Sequence, residues 1–445
     1  MLIITNKTNL TLADIETVIQ AHYYDMEHKL KLKRYYNGKH DILKKMGRKN
    51  NAANNRIVNN YCSYIANMSA GFFLGTPISY KTTAEHDNEL DILLEIFKYN
   101  DESAHNLNLA EEAAITGEAY ELLYTDSDAN IRFVNVPSDE IILVCDSTLE
   151  GNIICAVRHY RVYDLNQLTY SEFADVYDDK RVSHYSYNSG AMKLLDSQEH
   201  YFDDVPIVEY PNNNQRRGDF EDVLTLVDAY NLAQSLTLDD LADFTDAFLV
   251  LKGMGGTTPE DMAELRRAKS IILDEGGAAE WLIKNVNDTY VENFKTRLQR
   301  DIHKFSNIPD MSDNNFAGNT SGIAIKYKLI GLEQIRSRKE REFKKGLQRR
   351  IELISNILKL KNKAVIDFRD INIQFTANIP ANLTEQAEIV NKLDGLISRK
   401  TLLGLLPFVE NPIEEIDELE NERDEELTRG DERDYPNLTH NHDGE

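Results

Sequence analysis

The feature that most constrains this fold is a long amphipathic segment in the last third of the chain. Between residues 322 and 360, apolar side chains recur every three or four residues, which places them on one face of an α-helix. The residues on this face are Phe343, Leu347, Ile351, Ile354 and Leu358. A continuous helix over this range would be about 60 Å long. Any fold of this chain must therefore accommodate one very long helix.

The rest of the chain alternates between helical and β-rich stretches, which predicts an α+β fold. Further helices are predicted at 11–36, 57–73, 90–116, 219–251 and 291–306. The helix at 219–251 has a predicted buried stripe of Phe220, Val223, Val227, Tyr230, Leu241, Phe244 and Phe248. The other predicted segments are an antiparallel sheet region at 119–208, a compact mixed segment at 253–290, a loop at 307–321, a strand at 365–375, short helices at 383–427 and a disordered tail from 429.

The chain is strongly acidic, and its charge is unevenly distributed. Its 445 residues contain 75 Asp and Glu against 50 Lys and Arg, which gives a net charge of −25. Residues 381–445 alone contribute −12, whereas residues 28–50 hold nine Lys or Arg and one Asp. Tight phosphate binding normally needs a basic excess, so this composition argues against a protein whose main task is to grip nucleic acid or an anionic membrane.

The two longest predicted helices carry opposite charges. Residues 219–251 have a net charge of −8, and residues 322–363 have a net charge of +9. These charges can pair within one chain, or between neighbouring copies in which one acidic face meets the next basic face. The sequence leaves both arrangements open.

Hydropathy and cysteine content favour a soluble protein that is not exported. No apolar run reaches the roughly 18 residues that a transmembrane helix needs, and the first residues lack a secretion-signal pattern. Hydrophobic residues make up 41% of the chain, which is enough for globular cores. The three cysteines, Cys62, Cys145 and Cys155, have no CxxC spacing, so we expect neither a disulfide framework nor a structural zinc site.

The helix at 219–251 carries the densest set of carboxylates, here called the acidic stack: Asp239, Asp240, Asp243 and Asp246. Three of them follow i, i+4, i+7 spacing, and such a stack can hold Mg²⁺ for a nuclease or phosphoryl-transfer reaction. Charge runs on helices are more often solvated or ion-paired, and no P-loop or nucleophile-elbow motif accompanies this one. We therefore expect no catalytic residues, no cofactor and no metal.

A basic set lies on the predicted helix at 291–306. Arg297, Arg300 and Lys304 share one face of this helix. They can contact phosphates, or they can pair with the acidic stack if the two helices pack antiparallel. We favour the pairing.

Six stretches occur in an order that is typical of one protein family, although none is diagnostic alone. They are NRIVNNYCSYIANMSAGFFLGTPISY at 55–80, ITGEAYELLYTD at 115–126, VPIVEYPNN at 205–213, FEDVLTLVDAYNLAQS at 220–235, FAGNTSGIAIKYKLIGLE at 316–333 and ANIPANLTEQAEIVNKLDGLISRKTLLGLLPFVENPIEEIDELENE at 377–422. In this order they resemble the portal proteins of tailed double-stranded DNA bacteriophages, especially those of phages of Gram-positive bacteria.

The resemblance implies a helix-rich portal fold with a wing, stem, clip and crown that assembles into a ring. By position, the parts are a wing at 1–218, stem helices at 219–251 and 291–306, a clip at 252–290, a tunnel loop at 307–321, a long helix with a return strand at 322–380, a crown at 381–428 and an acidic tail at 429–445. The wing would meet the capsid, the clip would face the packaging motor, and the tunnel loop would project towards DNA.

The resemblance also implies a function without catalysis. Portal proteins form rings, typically of twelve subunits, at one capsid vertex, and the genome is packaged and later ejected through them. The implied partners are the terminase large subunit, head-completion or connector proteins, and the major capsid or scaffolding protein. Double-stranded DNA would pass through without sequence-specific binding, and no membrane partner is implied. The protein would be assembled in the host cytoplasm and located in the virion.

The loop residues that would face the DNA channel are Asn314, Asn315, Phe316, Asn319, Thr320 and Ser321. Apart from the phenylalanine they are polar and uncharged, so they can follow a moving duplex without the affinity that counterion release gives to cationic side chains. If the acidic stem and crown also surround the DNA path, an acidic wall would repel the duplex and keep it sliding.

Two other functional classes remain compatible with the sequence. A head-morphogenesis or scaffolding protein that forms no ring would share the acidity and the helix content. A metal-dependent nuclease would need the acidic stack to converge with another carboxylate around Mg²⁺.

Overall fold

The computed structural model divides the chain into two compact units, residues 1–378 and 379–445. The described residues are 1–7, 10–47, 53–83, 86–165, 168–188, 190–243, 248–252, 258, 260, 278–282, 288–312, 325, 327–377, 388, 390–404, 406, 409, 415–416 and 418–423. For residues 243, 248–252, 278–282 and 288, only the backbone is described.

Helices and strands both contribute extensively to the first unit. The α-helices are α1 Leu12–Tyr36, α2 Tyr61–Leu74, α3 Asp87–Tyr99, α4 Glu102–Thr116, α5 Leu224–Asp243, α6 Asp288–Ser306, α7 Ile330–Leu360 and, in the second unit, α8 Arg399–Leu403. Short 3-10 helices lie at Asp41–Lys44, Ser138–Glu140, Glu221–Val223 and Phe368–Asp370.

The strands form several separate sheets. In chain order they are β1 Leu2–Thr5, β2 Ser79–Lys81, β3 Glu118–Thr125, β4 Ile131–Val136, β5 Ile141–Asp146, β6 Ile153–Asp164, β7 Thr169–Tyr177, β8 Arg181–Asn188, β9 Ala191–Glu199, β10 Ile207–Pro211, β11 Phe248–Lys252, β12 Ala278–Leu282 and β13 Asn372–Gln374. A six-stranded sheet has the order β1-β5-β6-β7-β8-β9, and a three-stranded sheet has the order β10-β3-β4. Strand β11 pairs with β12, and β13 pairs with β2.

The α+β class predicted from the sequence is confirmed, and most helix positions agree with it. Among the described strands, all pairs are antiparallel except β1 with β5, which are parallel. Strand β1 was not predicted from the sequence. Its four residues are too few for a periodic pattern, and its partner lies about 140 residues away in the chain, as the pairing of Leu2 with Leu143 shows.

Three predicted elements differ from the structure. The helix predicted to reach residue 251 ends at Asp243, and the apolar run that follows it is strand β11. Periodicity cannot distinguish a short apolar strand from the continuation of a buried helix. The helix predicted at 90–116 is interrupted at Asp101, whose left-handed φ of 49° separates α3 from α4. The strand predicted at 365–375 is a 3-10 turn followed by the short strand β13.

Local sequence signals explain where several helices begin and end. Helix α1 begins after Thr11 because its hydroxyl accepts a hydrogen bond from the amide of Asp14, whose carboxylate accepts one from the amide of Thr11. Helix α4 ends at Gly117, which has a φ of 89°. A Cβ there would lie 2.1 Å from the carbonyl oxygen of Arg216, so only glycine fits this position.

The main core lies where the apolar face of α7 meets α2, α3, α4 and the three-stranded sheet. All five predicted apolar residues of the long helix are buried there, together with residues from each of the other elements, including Phe73, Leu93, Phe97, Leu109, Phe133 and Tyr210. A second cluster packs α1 against one face of the six-stranded sheet through Ile15, Ile19, Ile142, Val144 and Val157. The long helix is thus held by α2, α3, α4 and the three-stranded sheet, whereas α1 packs on the six-stranded sheet.

A buried ionic cluster joins α7 to the sheet. Arg350 is fully buried, and its Nε donates to both carboxylate oxygens of Glu121 at 2.9 Å. The same guanidinium contacts Glu102 at 3.2 Å and the side chain of Asn106 at 2.9 Å. Burial opposes ionisation of Glu121, but the positive charge of Arg350 and a hydrogen bond from His105 outweigh it and hold the pKa of Glu121 at about 2.

A second buried cluster surrounds Glu118 at the start of β3. Its carboxylate pairs with the ammonium of Lys29 and, at 2.9 Å, with the amino group of Met1. Lys29 also donates to the carbonyl of Ser138 at 2.9 Å. This cluster ties α1 to β3 by charge as well as by packing. Among the described helices, none is both long enough and apolar enough to cross a membrane.

Candidate assembly and DNA-channel surfaces

One face of α5 carries buried polar side chains that hold an extended segment at residues 55–59. Side chains four residues apart on the helix bond to backbone amides two residues apart in the segment. The pairs are Asn231 Oδ1 with the amide of Asn59 at 2.7 Å, Ser235 Oγ with that of Ile57 at 2.9 Å, and Asp239 Oδ1 with that of Asn55 at 2.6 Å. Four helical residues rise about 6 Å and two extended residues span about 6.6 Å, so the two repeats match. We call this set the side-chain ladder.

Asp239 is the most heavily bonded member of the ladder. Its side chain is 1% exposed and also accepts from Lys45 Nζ at 2.7 Å and from the amide side chain of Asn55 at 2.9 Å. Burial opposes ionisation, but these hydrogen bonds outweigh it and keep the pKa of Asp239 below its ordinary value. Asp239 is therefore a buried anchor for the segment at 55–59 and not an exposed carboxylate.

The rest of the acidic stack is less fully described. Asp240 is half-buried and its side chain or backbone has an interaction partner. Asp243 is the last residue of α5, and only its backbone is described. Asp246 lies outside the described residues. Within the described part of the chain, no three His, Cys, Asp or Glu side chains lie close enough together to hold a metal ion.

The basic set on α6 does not pair with Asp239, so that predicted pairing is wrong for this residue. Arg297 is 83% exposed and lies 3.9 Å from Asp301 of its own helix. Arg300 is exposed, and Lys304 lies 5.7 Å from the centroid of the Phe305 ring. Lys45 is close to Asp239 because the ladder holds residues 55–59 against α5, and Lys45 lies just before this segment in the chain. Helix α6 nevertheless packs against α5, and its Leu298 and Ile302 are buried.

The start of the predicted tunnel loop is anchored to α2 and α6. The hydroxyl of Tyr64 donates to the carbonyl of Pro309 at 2.9 Å and accepts from the amide of Met311 at 3.2 Å. Asp310 accepts from the amide of Ser312 at 3.0 Å and from the side chain of Gln299, also at 3.0 Å. The predicted channel residues Asn314, Asn315, Phe316, Asn319, Thr320 and Ser321 lie outside the described residues.

Most charges of α7 pair within the chain. Arg336 bonds Glu333 and Glu340 of the same helix. Other pairs join α7 to earlier segments: Lys339 with Asp219 at 2.7 Å, Arg349 with Asp204 at 2.6 Å, and Arg350 with Glu121. Of these, only the first joins the basic helix to the acidic segment 219–251. Among the described residues, ion pairs within one chain thus involve many of the charged side chains of α7.

Helix α5 exposes leucines on both flanks of its buried face. Asn231, Ser235 and Asp239 mark the centre of the buried face. Leu232 and Leu236 lie on one flank and Leu238 and Leu241 on the other, and each is at least 40% exposed. The prediction that Leu241 is buried is therefore wrong for the single chain, whereas Phe220, Val223, Val227 and Tyr230 are buried as predicted. Phe244 lies outside the described residues, and of Phe248 only the backbone is described.

Comparison with known proteins identifies the family. A family model described as phage portal protein, SPP1 Gp6-like, matches residues 15–429 of this chain. The chain belongs to this family of phage portal proteins. A portal protein of Clostridium phage phiCD119 is 26% identical over 443 residues, covering 92% of this chain and 95% of the relative. The portal protein of Bacillus phage SPP1 is 25% identical over 453 residues, covering 92% of this chain and 86% of the relative. The family predicted from the six sequence stretches is confirmed.

Two solved structures that this chain resembles come from the necks of GTA particles. One, from an empty particle computed with C6 symmetry, has a TM-score of 0.48 and 15% identity, covering 78% of this chain and 91% of the other. Another, from a native particle computed with C12 symmetry, has a TM-score of 0.48 and 13% identity, covering 78% of this chain and 90% of the other.

Sequence reasoning missed the buried polar residues of this portal protein, although a signal for them exists. Lys339 and Arg350 fall at helical spacing on the same face as Phe343 and Leu347, which marks them as buried ions. Ser235 and Asn231 likewise continue the buried stripe of α5 towards Asp239. A charged or polar residue on an apolar stripe predicts a specific partner, because such a group is rarely buried without one.

Proposed function

We propose that this portal protein forms a closed ring, with twelve subunits expected, at one vertex of a phage capsid. The ring would be the channel through which the genome is packaged and later ejected. Its outer and lower surfaces would bind the terminase large subunit during packaging and connector proteins afterwards, with the major capsid or scaffolding protein around the wing.

The family match is the observation that carries this proposal. It extends over residues 15–429, so it includes every part of the chain that a portal ring would use and is not limited to one module. The two portal relatives also match over nearly their whole lengths.

The exposed leucines of α5 support a ring. In a head-to-tail ring each subunit contacts two neighbours through two different surfaces, and this arrangement closes when the rotation between subunits divides a full turn. A helix with apolar side chains on both flanks of its buried face has one flank for each neighbour. Burying Leu232 and Leu236 on one side and Leu241 on the other would remove apolar area that a single chain leaves in water.

The assignment of parts follows the same proposal. We assign the wing to 1–218, the stem to helices α5 and α6, the clip to the segment between them, and the crown to 381–428. The tunnel loop at 307–321 would start from the anchor that Tyr64 and Asp310 provide. The low-friction channel would then depend on carboxylates other than Asp239, since that residue is occupied by Lys45.

Electron microscopy of the purified full-length chain tests the ring directly. Negative-stain images should show closed rings with a central hole, and native mass spectrometry should give one subunit number. Monomers or open, irregular assemblies at micromolar concentration would overturn the proposal and favour a scaffolding protein that forms no ring.

The tunnel-loop assignment has a separate test. Replacing Asn314 and Asn315 with Lys should slow DNA packaging in an in vitro assay while leaving the ring yield unchanged, because added cations hold phosphates that the native loop lets pass. Gln20→Lys, an exposed position on α1, is the matched control and should package normally. Unchanged packaging in the loop variant would remove these asparagines from the DNA path.

A further inference from the structure

Helix α3 carries a row of unpaired carboxylates on its exposed face. Asp87, Asp91 and Glu95 are spaced four residues apart, so they share one face, and all three are exposed. Within the described part of the chain, none of them has an ion-pair partner. Lys98 lies on the same face one turn beyond, which leaves the row with a net negative charge. We call these three carboxylates the acidic row.

Helix α7 carries a matching row of cations on the face opposite its core contacts. Arg338, Arg341 and Lys345 follow i, i+3, i+7 spacing and are exposed. Lys345 contacts Glu342 of its own helix at 2.8 Å, whereas Arg338 and Arg341 have no ion-pair partner among the described residues. We call these three residues the basic row. Arg338 and Arg341 differ in this respect from Arg336, Lys339 and Arg350, which form ion pairs within the chain.

The two rows match in length as well as in sign. Eight helical residues separate the ends of the acidic row and seven those of the basic row, which gives about 12 Å and about 10 Å of helix axis. Both rows belong to the same compact unit, and among its described residues only Lys345 of the two rows has an ion-pair partner, Glu342 of its own helix. Three charges of one sign on one helix face thus have a counterpart of equal size and opposite sign on another face of the same protein.

We propose that the acidic row of one subunit binds the basic row of its neighbour, so that the partner of each surface is a second copy of this chain. This inference rests on the proposed ring, in which every subunit presents two different surfaces to its two neighbours. In such a ring the contact is head-to-tail, because each subunit offers its acidic row to one neighbour and its basic row to the other.

The rows would select the orientation of subunits more than they would supply affinity. Exposed ion pairs each contribute little, and salt screens them. Complementary rows instead speed correct encounters and oppose incorrect ones, because like charges that face each other disfavour association. The affinity of the ring would come from apolar area such as the exposed leucines of α5, while the rows fix which face meets which.

The test reverses each row separately. One variant carries Asp91→Lys and Glu95→Lys, which leaves the first turn of α3 intact, and the other carries Arg338→Glu and Arg341→Glu. Each variant alone should form rings at least about tenfold less efficiently than the native chain, the change that roughly 1.4 kcal/mol of repulsion per contact produces. Thermal unfolding confirms that each variant is folded, since the four side chains are exposed.

An equimolar mixture of the two variants gives the decisive readout. In the α3 variant both rows are positive, and in the α7 variant both rows are negative. A contact between the two variants therefore always pairs a positive row with a negative one. The mixture should therefore form rings in which the two variants alternate in a 1:1 ratio, which native mass spectrometry can count. Asp128→Lys with Glu150→Lys changes the net charge equally at exposed turns and should assemble as the native chain does.

Each remaining outcome contradicts the proposal. Native ring yields from either variant alone would show that its row is not at a subunit contact. Failure of the mixture to recover rings would show that the rows do not bind each other. Native rings from the Arg338→Glu variant that package DNA slowly would assign the basic row to DNA contact instead. If the native chain itself forms no rings, the proposed function fails, and the row contact fails because it rests on the ring. If the native chain forms rings but the variants behave as above, only the row contact fails.

Discussion

Arg350 shows how much a single buried residue determines in this protein. Its guanidinium is enclosed by Glu121, Glu102 and Asn106, and its Cζ lies 4.7 Å from the centroid of the Phe133 ring. Removing two ions from water is expensive, so such a cluster adds little net stability compared with apolar residues of the same shape. Its value lies in specificity, because only one position of α7 along the sheet brings all these partners together.

Replacing Arg350 with Met should destabilise the protein by about 3–5 kcal/mol, because it leaves two carboxylates buried without a counter-ion. Urea unfolding followed by circular dichroism measures the loss. Arg349→Met is the matched control: its side chain is 24% exposed and pairs with Asp204 and Glu352, so the expected loss is about 0–1 kcal/mol. Equal losses in the two variants would contradict the role of the buried cluster. Adding Glu121→Gln to Arg350→Met should recover part of the stability.

His22 gives the protein a specific dependence on pH. The side chain is fully buried, and neither ring nitrogen has a hydrogen-bond partner among the described residues. Burial, assisted by the positive charges of the Met1 amino group and Lys29, lowers the pKa of His22 to about 3. The negative charge of the Asp25 carboxylate opposes this shift without cancelling it. In the unfolded chain this group would be protonated near the ordinary histidine pKa of 6.5. Stability is therefore present above pH 6.5 and is lost as pH falls from 6.5 towards 3.

His22→Leu should flatten this pH dependence. Between pH 7 and pH 4.5 the native protein should lose about 2 kcal/mol more stability than the variant, because only the native unfolded state gains this proton. Chemical unfolding at several pH values measures the difference. His28→Leu, at a half-exposed position on the same helix, should keep the native slope. A native slope in the His22 variant as well would show that other groups cause the acid sensitivity.

The sequence predicts these residues only in part. Arg349 and Arg350 are identical and adjacent, and composition cannot tell which one is buried. Position on the apolar stripe distinguishes them, since Arg350 lies three residues after Leu347. The identity of its partner cannot be obtained in this way, because Glu121 is 229 residues away in the chain and meets α7 only in the folded structure.

At the scale of elements, the contact between α7 and β10 depends on a glycine. A Cβ on Gly346 would lie 2.4 Å from Cε1 of Tyr210. The ring of Tyr210 is fully buried, packs 4.7 Å from the Phe343 ring centroid and has its hydroxyl bonded to Glu121 at 3.0 Å. The tyrosine therefore cannot move aside, and the helix must approach the strand closely.

Gly346→Ala should destabilise the protein by about 1–3 kcal/mol through overpacking, although alanine is the better helix former. Gly71→Ala in α2 is the control, since a Cβ there meets nothing within 4 Å. That substitution should stabilise the protein by up to about 1 kcal/mol. Thermal unfolding of both variants measures whether each substitution lowers or raises the stability. A stabilised Gly346→Ala variant would contradict the close contact.

Element types were more predictable than element ends. Helices α1, α2, α6 and α7 follow from their periodic apolar positions and from stop signals such as Gly75-Thr76-Pro77. The end of α5 was not predictable, because the run FLVLK at 248–252 continues an apolar pattern and its partner strand β12 begins at residue 278. The partners of Asp239 were not predictable either, because Lys45 and Asn55 lie 194 and 184 residues before it in the chain.

At the scale of the whole molecule, some charged side chains form ion pairs within the chain, and others are exposed and can contact a neighbouring subunit. The net charge of −25 sums to roughly −300 in a ring of twelve, which by itself opposes assembly through self-repulsion. Apolar contact area and locally complementary charges must therefore offset this repulsion wherever subunits meet. The family match extends across almost the whole chain, which is why the portal identity could be predicted from the order of sequence stretches while individual contacts could not.

Deleting residues 429–445 should leave ring assembly intact. This segment is polar and has few apolar side chains, so it has little area to bury against a neighbour. It removes five acidic and two basic residues, which changes the net charge from −25 to −22. Ring yield by electron microscopy should equal that of the full-length chain. A marked loss of rings would show that the tail contributes to a subunit contact.

The side-chain ladder has a consequence for how α5 can move. Shifting α5 by four residues along the segment would place Ser235 at the amide of Asn59 and Asp239 at that of Ile57, so two of the three bonds would form again. A smaller shift, or a rotation about the helix axis, would leave all three amides unpaired together. The ladder therefore resists small slips of α5 along the segment, because each such slip breaks all three hydrogen bonds at once.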